Sequence, residues 1–204
     1  MIVDLLQKLR ADARQYRNLG GWYKCLGFWI GGTHRIRALA SKSSHPVIAL
    51  PVRLSARIAA LAWENIWSVI ISPDAEIGPG LCLIHPHNVW IGGASIGQNC
   101  LIFHDVTVGT NANASGLPQI GDDVDIYVGA KLLGAIKIGD NAKIGANCTV
   151  TQSLAPGATV VTAANRVIPP SLVAAFGPRP CETSNGSREH SSSPLRTNPK
   201  SEGR

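Results

Sequence analysis

Between Ile71 and Val160, aliphatic residues return every six positions. Ile120, Ile126, Leu132, Ile138, Ile144 and Val150 form an unbroken series. Upstream the same step joins Ile96, Ile102 and Val108, and before them Ile71, Ile77, Leu83 and Val89, with one step of seven between Val89 and Ile96. Four positions after each of the later aliphatics stands Val124, Ala130, Ile136, Ala142, Cys148 or Leu154, mostly small and apolar. A period of six belongs neither to a helix, at about 3.6, nor to an alternating strand, at about 2. It predicts a mainly β protein, a parallel β-helix in which each hexapeptide builds one flat side of a triangular coil and three of them complete a turn. The repeated aliphatic points inward and stacks on its counterpart about 4.8 Å away in the next coil, while the small residue fits the corner. Residues 71–160 amount to about five coils. A coil is stabilised only by its neighbours, so both ends need covers.

The flanks read differently. Residues 1–70 show helical periodicity in pieces, in "VDLLQKLRADARQY" and in "PVRLSARIAALAWENIWSVI", the second starting at a proline. Between them "GGTHRIRALASKSSHP" reads as breakers and turns. This helical region is expected to cap one end of the β-helix domain (71–177), with residues 160–177 capping the other. Residues 178–204 are rich in Ser, Pro, Gly and charge, and are expected to form a disordered tail.

Charge sharpens the division. The chain carries a net +6, and residues 1–70 hold ten Lys/Arg against Asp4, Asp12 and Glu64. A basic segment of this kind suits a solvated helical face, an anionic ligand or the surface of an acidic membrane. Nucleic acid is not expected as a partner. Five cysteines (Cys25, Cys82, Cys100, Cys148, Cys181) without a CxxC suggest free thiols and a reducing cytoplasm rather than a disulfide framework or a zinc knuckle. The N-terminus lacks a signal-peptide core, and no run reaches the ~18 uncharged apolar residues of a spanning helix. The expected location is therefore cytoplasmic, with room for peripheral contact at the inner face of the membrane through the basic region.

The chemistry concentrates in "CLIHPHNVWIGG", Cys82 to Gly93. His85 lies two residues after Leu83, and His104 two residues after Ile102. Those aliphatics are 19 residues apart, one coil plus the inserted residue. The two histidines are therefore expected to stack on adjacent coils. Counting residues 108–119 as two hexapeptides brings Asp122 next in the column. A His, His, Asp column on one face is a reasonable acid–base constellation. His87, beside Pro86, is either structural or lines the substrate.

These residues carry a resemblance. From about Ile71 to Ile168, "ISPDAEIGPGLCLIHPHNVWIGG", "SIGQNCLIFHDVTVG" and "KIGANCTVTQSLAPGATVVTAANRVI" resemble the serine acetyltransferase-like branch of the hexapeptide acyltransferases. The resemblance implies a left-handed β-helix, a homotrimer, and acetyl-CoA as co-substrate in the groove between subunits, with no metal. It makes His85 the general base, with His104 a second candidate of the catalytic unit. On the cofactor side it implies Gly129, Ala146, Thr151, Gln152 and Arg166, although Gln152 stands where a lysine is usual. Substrate-side candidates are His87, Asp105 and Asp122. A backbone N–H near Gly92–Gly93 or Gly109 would serve the oxyanion.

The departures concern the acceptor. Serine acetyltransferases carry an Asp just before the catalytic histidine, another in the coil above, and an Arg-His pair in the following loop. Here those positions are Ile84, Ile70, and Gly116 with Leu117. Serine's ammonium and carboxylate would lose their partners, whereas a sugar hydroxyl needs none. The chain also looks similar to exopolysaccharide or lipopolysaccharide acetyltransferases. The expectation is therefore O-acetylation of a sugar of a surface polysaccharide or its precursor, a small-molecule or lipid-linked acceptor, with serine O-acetylation for cysteine synthesis as the alternative. More remote are a non-catalytic scaffold and a zinc hydratase using His85, His87 and His104. The loop Thr110–Gln119 is expected to govern specificity.

Overall fold

Each hexapeptide contributes one short strand, and in the computed structural model every strand pairs only with its counterparts in neighbouring coils. The structure describes residues 2–41, 46–111 and 116–163. Three parallel sheets result. The first holds β1 (Val69–Ile71), β4 (Val89–Ile91), β7 (Thr107–Gly109), β10 (Lys131–Leu133) and β13 (Thr149–Val150). The second holds β2 (Glu76–Ile77), β5 (Ser95–Ile96), β8 (Gln119–Ile120) and β11 (Lys137–Ile138). The third holds β3 (Cys82–Leu83), β6 (Leu101–Ile102), β9 (Asp125–Ile126), β12 (Lys143–Ile144) and β14 (Thr159–Val160). This is the parallel solenoid of about five coils that the six-residue period predicts.

Strands this short are not stable alone; the ladders inside hold them. Ile71, Ile91, Val108, Leu132 and Val150 stack in the first sheet. Ile77, Ile96, Ile120 and Ile138 stack in the second, and Leu83, Ile102, Ile126 and Ile144 in the third. All are buried, and Cys100, Val124 and Ala142 fill a corner between them. Each buried aliphatic contributes about 1.5–3 kcal/mol.

The register moves both irregular steps. Ile71 pairs with Ile91 and Ile91 with Val108, so Ile91, not Val89, is the repeat residue of its coil. Two extra residues therefore sit in the turn His85–Asn88, and the turn after Ile91 is one residue short. The second irregularity lies between Val108 and Ile120. Ile102 pairs with Ile126, so the extra hexapeptide there leaves the coil as a loop instead of building a side.

Helices α1 (Ile2–Gln15), α2 (Leu26–Ser41) and α3 (Pro46–Ile66) precede the coils. The helices differ from expectation at two places. Gly31 and Gly32 do not break the chain but lie inside α2, each facing a leucine (Leu81, Leu9) across a gap that a single methyl would fill. α3 begins at Pro46, more than a turn before the expected start at Pro51, which it carries in its interior.

The helices cover the open edge of the first coil, where unpaired backbone groups need partners. Arg35 donates to Ile77 O at 3.0 Å and Gly78 O at 2.7 Å. Asp12 accepts from Gly80 N at 2.8 Å and Leu81 N at 3.0 Å. Tyr16 Oη accepts from Leu83 N at 2.8 Å. At Gly27 the approach is so close that a Cβ would stand 2.2 Å from Leu83 O. Helices and coils belong to one compact unit ending at Ala163. Arg166, residues 164–177 of the expected C-terminal cap and the tail lie outside the described residues.

His34 belongs to this cover. Its Nε2 donates to Ala75 O at 3.2 Å, and its buried Nδ1 has no partner among the described residues. Burial, with help from Arg35 and Arg37, pulls the imidazole down to about 4, against the opposing effect of the Ala75 bond. In the unfolded chain it titrates near 6.5, so between these values the unfolded state binds more protons. The stability from a neutral His34 is complete above about 6.5 and is lost as pH falls towards 4. Thermal midpoints of the parent should fall relative to His34→Gln across that window. A difference that stays flat from neutral pH to about 4 would mean that His34 is not held neutral.

Candidate active site

The site is built on the turn that joins β3 to β4. Its two extra residues push it out from the coil, leaving His85 and His87 exposed. His85 and Asn88 both adopt left-handed backbone, with φ of 47° and 51°. For a side chain larger than glycine this costs on the order of 1 kcal/mol. The His87 Nδ1 lies 3.1 Å from His85 O. A carbonyl only accepts, so this bond requires a proton on Nδ1.

The next corners repeat one bonding pattern. Asp105 N donates to His87 O, Gly129 N to His104 O, and Asn147 N to Val128 O. Asn88, Asp105, Gly129 and Asn147 share the left-handed conformation. At the corner, therefore, His87 is the residue in column with His104, followed by Val128. His85 keeps its strand relation to His104 through the Leu83–Ile102 pair, but projects from the insertion. Gly129 is explained by crowding: a Cβ there would lie 2.0 Å from Asn147 Oδ1.

Asp122 does not join this column. It follows β8 at another corner, because the loop consumed the hexapeptide that the count assigned to the coil. There it accepts from Gln98 N at 2.8 Å and Gln98 Nε2 at 2.9 Å. These bonds hold its carboxyl below the ordinary range. Its own N–H donates to Asp140 Oδ1 at 2.8 Å, so it is a rung of a corner ladder.

Asp105 stays at the site as a brace. Its Oδ1 accepts from Asn88 Nδ2 at 2.9 Å, and its carbonyl accepts from Lys131 Nζ. His104 is half-buried, with Nδ1 unpartnered among the described residues. The Gly92 amide expected near the oxyanion already donates to Val108 O at 2.8 Å. Leu117 packs across Gly92 and Gly93, within 3.2 and 3.3 Å of where Cβ atoms would stand; residues 112–115 of its loop lie outside the described residues. Ala146, Thr151 and Gln152 are exposed and uncharged near the last coils.

Two features escaped the sequence reading. The backbone ladder continues from Ile84 to Phe103 and Tyr127, whose rings stack at 5.4 Å. Ile70 pairs in register with Trp90, and both are exposed, by 41% and 59%. Counting the loop as a loop would have aligned Phe103 with Tyr127. Among the described residues no group of three or more His, Cys, Asp or Glu side chains is arranged to hold a metal ion.

Residues 118–152 match the family model described as bacterial transferase hexapeptide (six repeats). The serine acetyltransferase of Mycobacterium tuberculosis is 40% identical over 129 residues, 62% of this chain and 56% of that protein. That of Staphylococcus aureus is 46% identical over 94 residues, 45% of this chain and 44% of that protein. The chain thus spans about half the length of these curated relatives. Among solved structures, soybean serine acetyltransferase apoenzyme aligns with a TM-score of 0.65 at 34% identity, covering 81% of this chain and 69% of that one. The Neisseria gonorrhoeae enzyme in complex with serine aligns with a TM-score of 0.64 at 29% identity, covering 79% and 68%. The expected likeness to polysaccharide acetyltransferases finds no support in these names. By repeat, register and relatives alike, the chain belongs to the hexapeptide-repeat acyltransferase family, alongside proteins named serine acetyltransferase.

Proposed function

We propose that this chain is an acetyl-CoA-dependent O-acetyltransferase with L-serine as acceptor, working as the trimer that the resemblance implies. The observation that carries the reading is the alignment, over 79% of this chain, with a serine acetyltransferase in complex with serine. This replaces the sugar acceptor as the leading reading. A Brucella abortus serine acetyltransferase in complex with coenzyme A, aligned over 78% of this chain at 29% identity, supports the donor. In the proposed reaction His85 takes the hydroxyl proton as the new C–O bond forms. It returns that proton to the coenzyme A sulfur as the thioester C–S bond breaks. Asp105, through Asn88, and Lys131 hold the corner that carries the histidines. Ala146, Thr151 and Gln152 would flank the pantetheine arm.

A second reading keeps the chemistry and changes the acceptor to a sugar hydroxyl. It is favoured by the apolar flanks of the turn: Ile84 leading to stacked Phe103 and Tyr127, Ile70 beside exposed Trp90, and Leu117 committed to packing. None of these offers a charge to serine's ammonium or carboxylate. Thiol release from acetyl-CoA with L-serine in one arm and nucleotide-sugars in the other separates the two. Serine-dependent release is the expected result. Release with sugars alone would transfer the proposal to the second reading, and release with neither acceptor would overturn the transferase assignment.

A further inference from the structure

The exposed face of α1 changes character along its length. Val3, Leu6, Arg10, Arg14 and Arg17 follow one another at steps of three or four and so share a side of the helix and its following turn. Val3 and Leu6 are exposed, and the three arginines are exposed and paired with no carboxylate among the described residues. Arg10, Arg14 and Arg17 line an open cleft of about 690 Å³ together with Trp22 and Tyr23. Trp22 contacts Tyr23 and Trp29 edge-on or tilted, with centroids 6.0 and 5.9 Å apart, and all three rings are exposed. Lys24 sits 5.6 Å above the Tyr23 ring.

We infer that this patch docks the protein on an anionic lipid surface. Unpaired cations beside exposed aromatic rings match an interface where phosphates meet acyl chains. A two-fold contact of this patch with itself would set arginine against arginine. A nucleic acid satisfies the arginines but gives Val3, Leu6 and the three rings no apolar phase. No helix among the described residues is long and apolar enough to cross a membrane, so the contact is peripheral. Tyr16, before Trp22 and Tyr23 in sequence, and Gly27, between Tyr23 and Trp29, both meet Leu83. Docking there would hold the His85 turn at a fixed relation to the lipid surface. This inference is independent of the acceptor.

The test is co-sedimentation of the full chain with vesicles of phosphatidylcholine alone or mixed with phosphatidylglycerol. Binding is expected only to the mixed vesicles, and it should weaken as salt rises. Each surface cation is worth roughly fivefold in partitioning, so Arg10→Gln, Arg14→Gln and Arg17→Gln together should reduce it by about 100-fold. Trp22→Ser should weaken it at every salt concentration. The salt titration needs no substitution and keeps the test valid if a variant folds poorly. Equal binding to both vesicle types, binding to neither, or unaltered binding by the triple variant would overturn the inference. So would retention of a DNA duplex in place of vesicles.

Discussion

His85→Ala is expected to lower acetyl transfer by about 10²–10⁴-fold while acetyl-CoA still binds. A hydroxyl acceptor holds its proton far above neutral pH, so attack on a thioester needs a base within hydrogen-bond reach. The turn His85–Asn88 presents two imidazoles for that task, and its left-handed residues hold it away from the coil. Comparison variants make the assignment testable. His87→Ala removes the ring whose Nδ1 bonds His85 O and should cost less, through looser placement of the turn. His104→Gln should raise KM more than it lowers kcat if that residue only positions the acceptor. Initial rates of thiol release, with acetyl-CoA binding measured separately by calorimetry, distinguish these cases. Near-normal kcat in His85→Ala, with the full loss in His87→Ala, would move the base to His87. That residue is the one whose corner aligns with His104.

The sequence reading and the structure part company where spacing has two solutions. The inward ladders were legible because an aliphatic every six residues satisfies no other regular element. The insertion at the histidine turn was not. Val89 and Ile91 are both inward-compatible aliphatics two residues apart, and a net gain of one residue does not reveal whether it is one extra or two extra and one missing. Spacing alone puts Asp122 in the histidine column for a related reason: the step of 12 from Val108 to Ile120 fits two coil sides or one side with a loop. The position six after Val108 is Ala114, smaller than the aliphatics at the other repeat positions. Gly31 and Gly32 were unreadable in another way. Their role depends on leucines elsewhere in the chain, and local propensity carries no trace of them. Phe103 and Tyr127 became neighbours only once the loop was recognised.

The largest effect on stability is expected at Asp12. Its carboxylate and the Arg35 guanidinium form a two-pronged pair at 2.6 and 2.9 Å, with the residues only 2% and 6% exposed. Each partner also serves the first coil: Asp12 through Gly80 N and Leu81 N, Arg35 through Ile77 O and Gly78 O. Asp12→Ala removes one charge, strands the other and leaves two coil amides without an acceptor, so it should destabilise by about 3–5 kcal/mol. For a chain of this size that is a fall in Tm on the order of 10 °C, read by circular dichroism. The opened edge should also promote association between chains. The double variant Asp12→Leu with Arg35→Met separates two causes. If the stranded charge dominates, the pair of substitutions recovers much of the loss, because two apolar residues carry no desolvation cost. If the coil's backbone partners dominate, it recovers little, since Ile77, Gly78, Gly80 and Leu81 remain unpaired. An Asp12→Ala protein that melts with the parent would mean that packing by α2 covers the coil and the ion pair adds nothing to it.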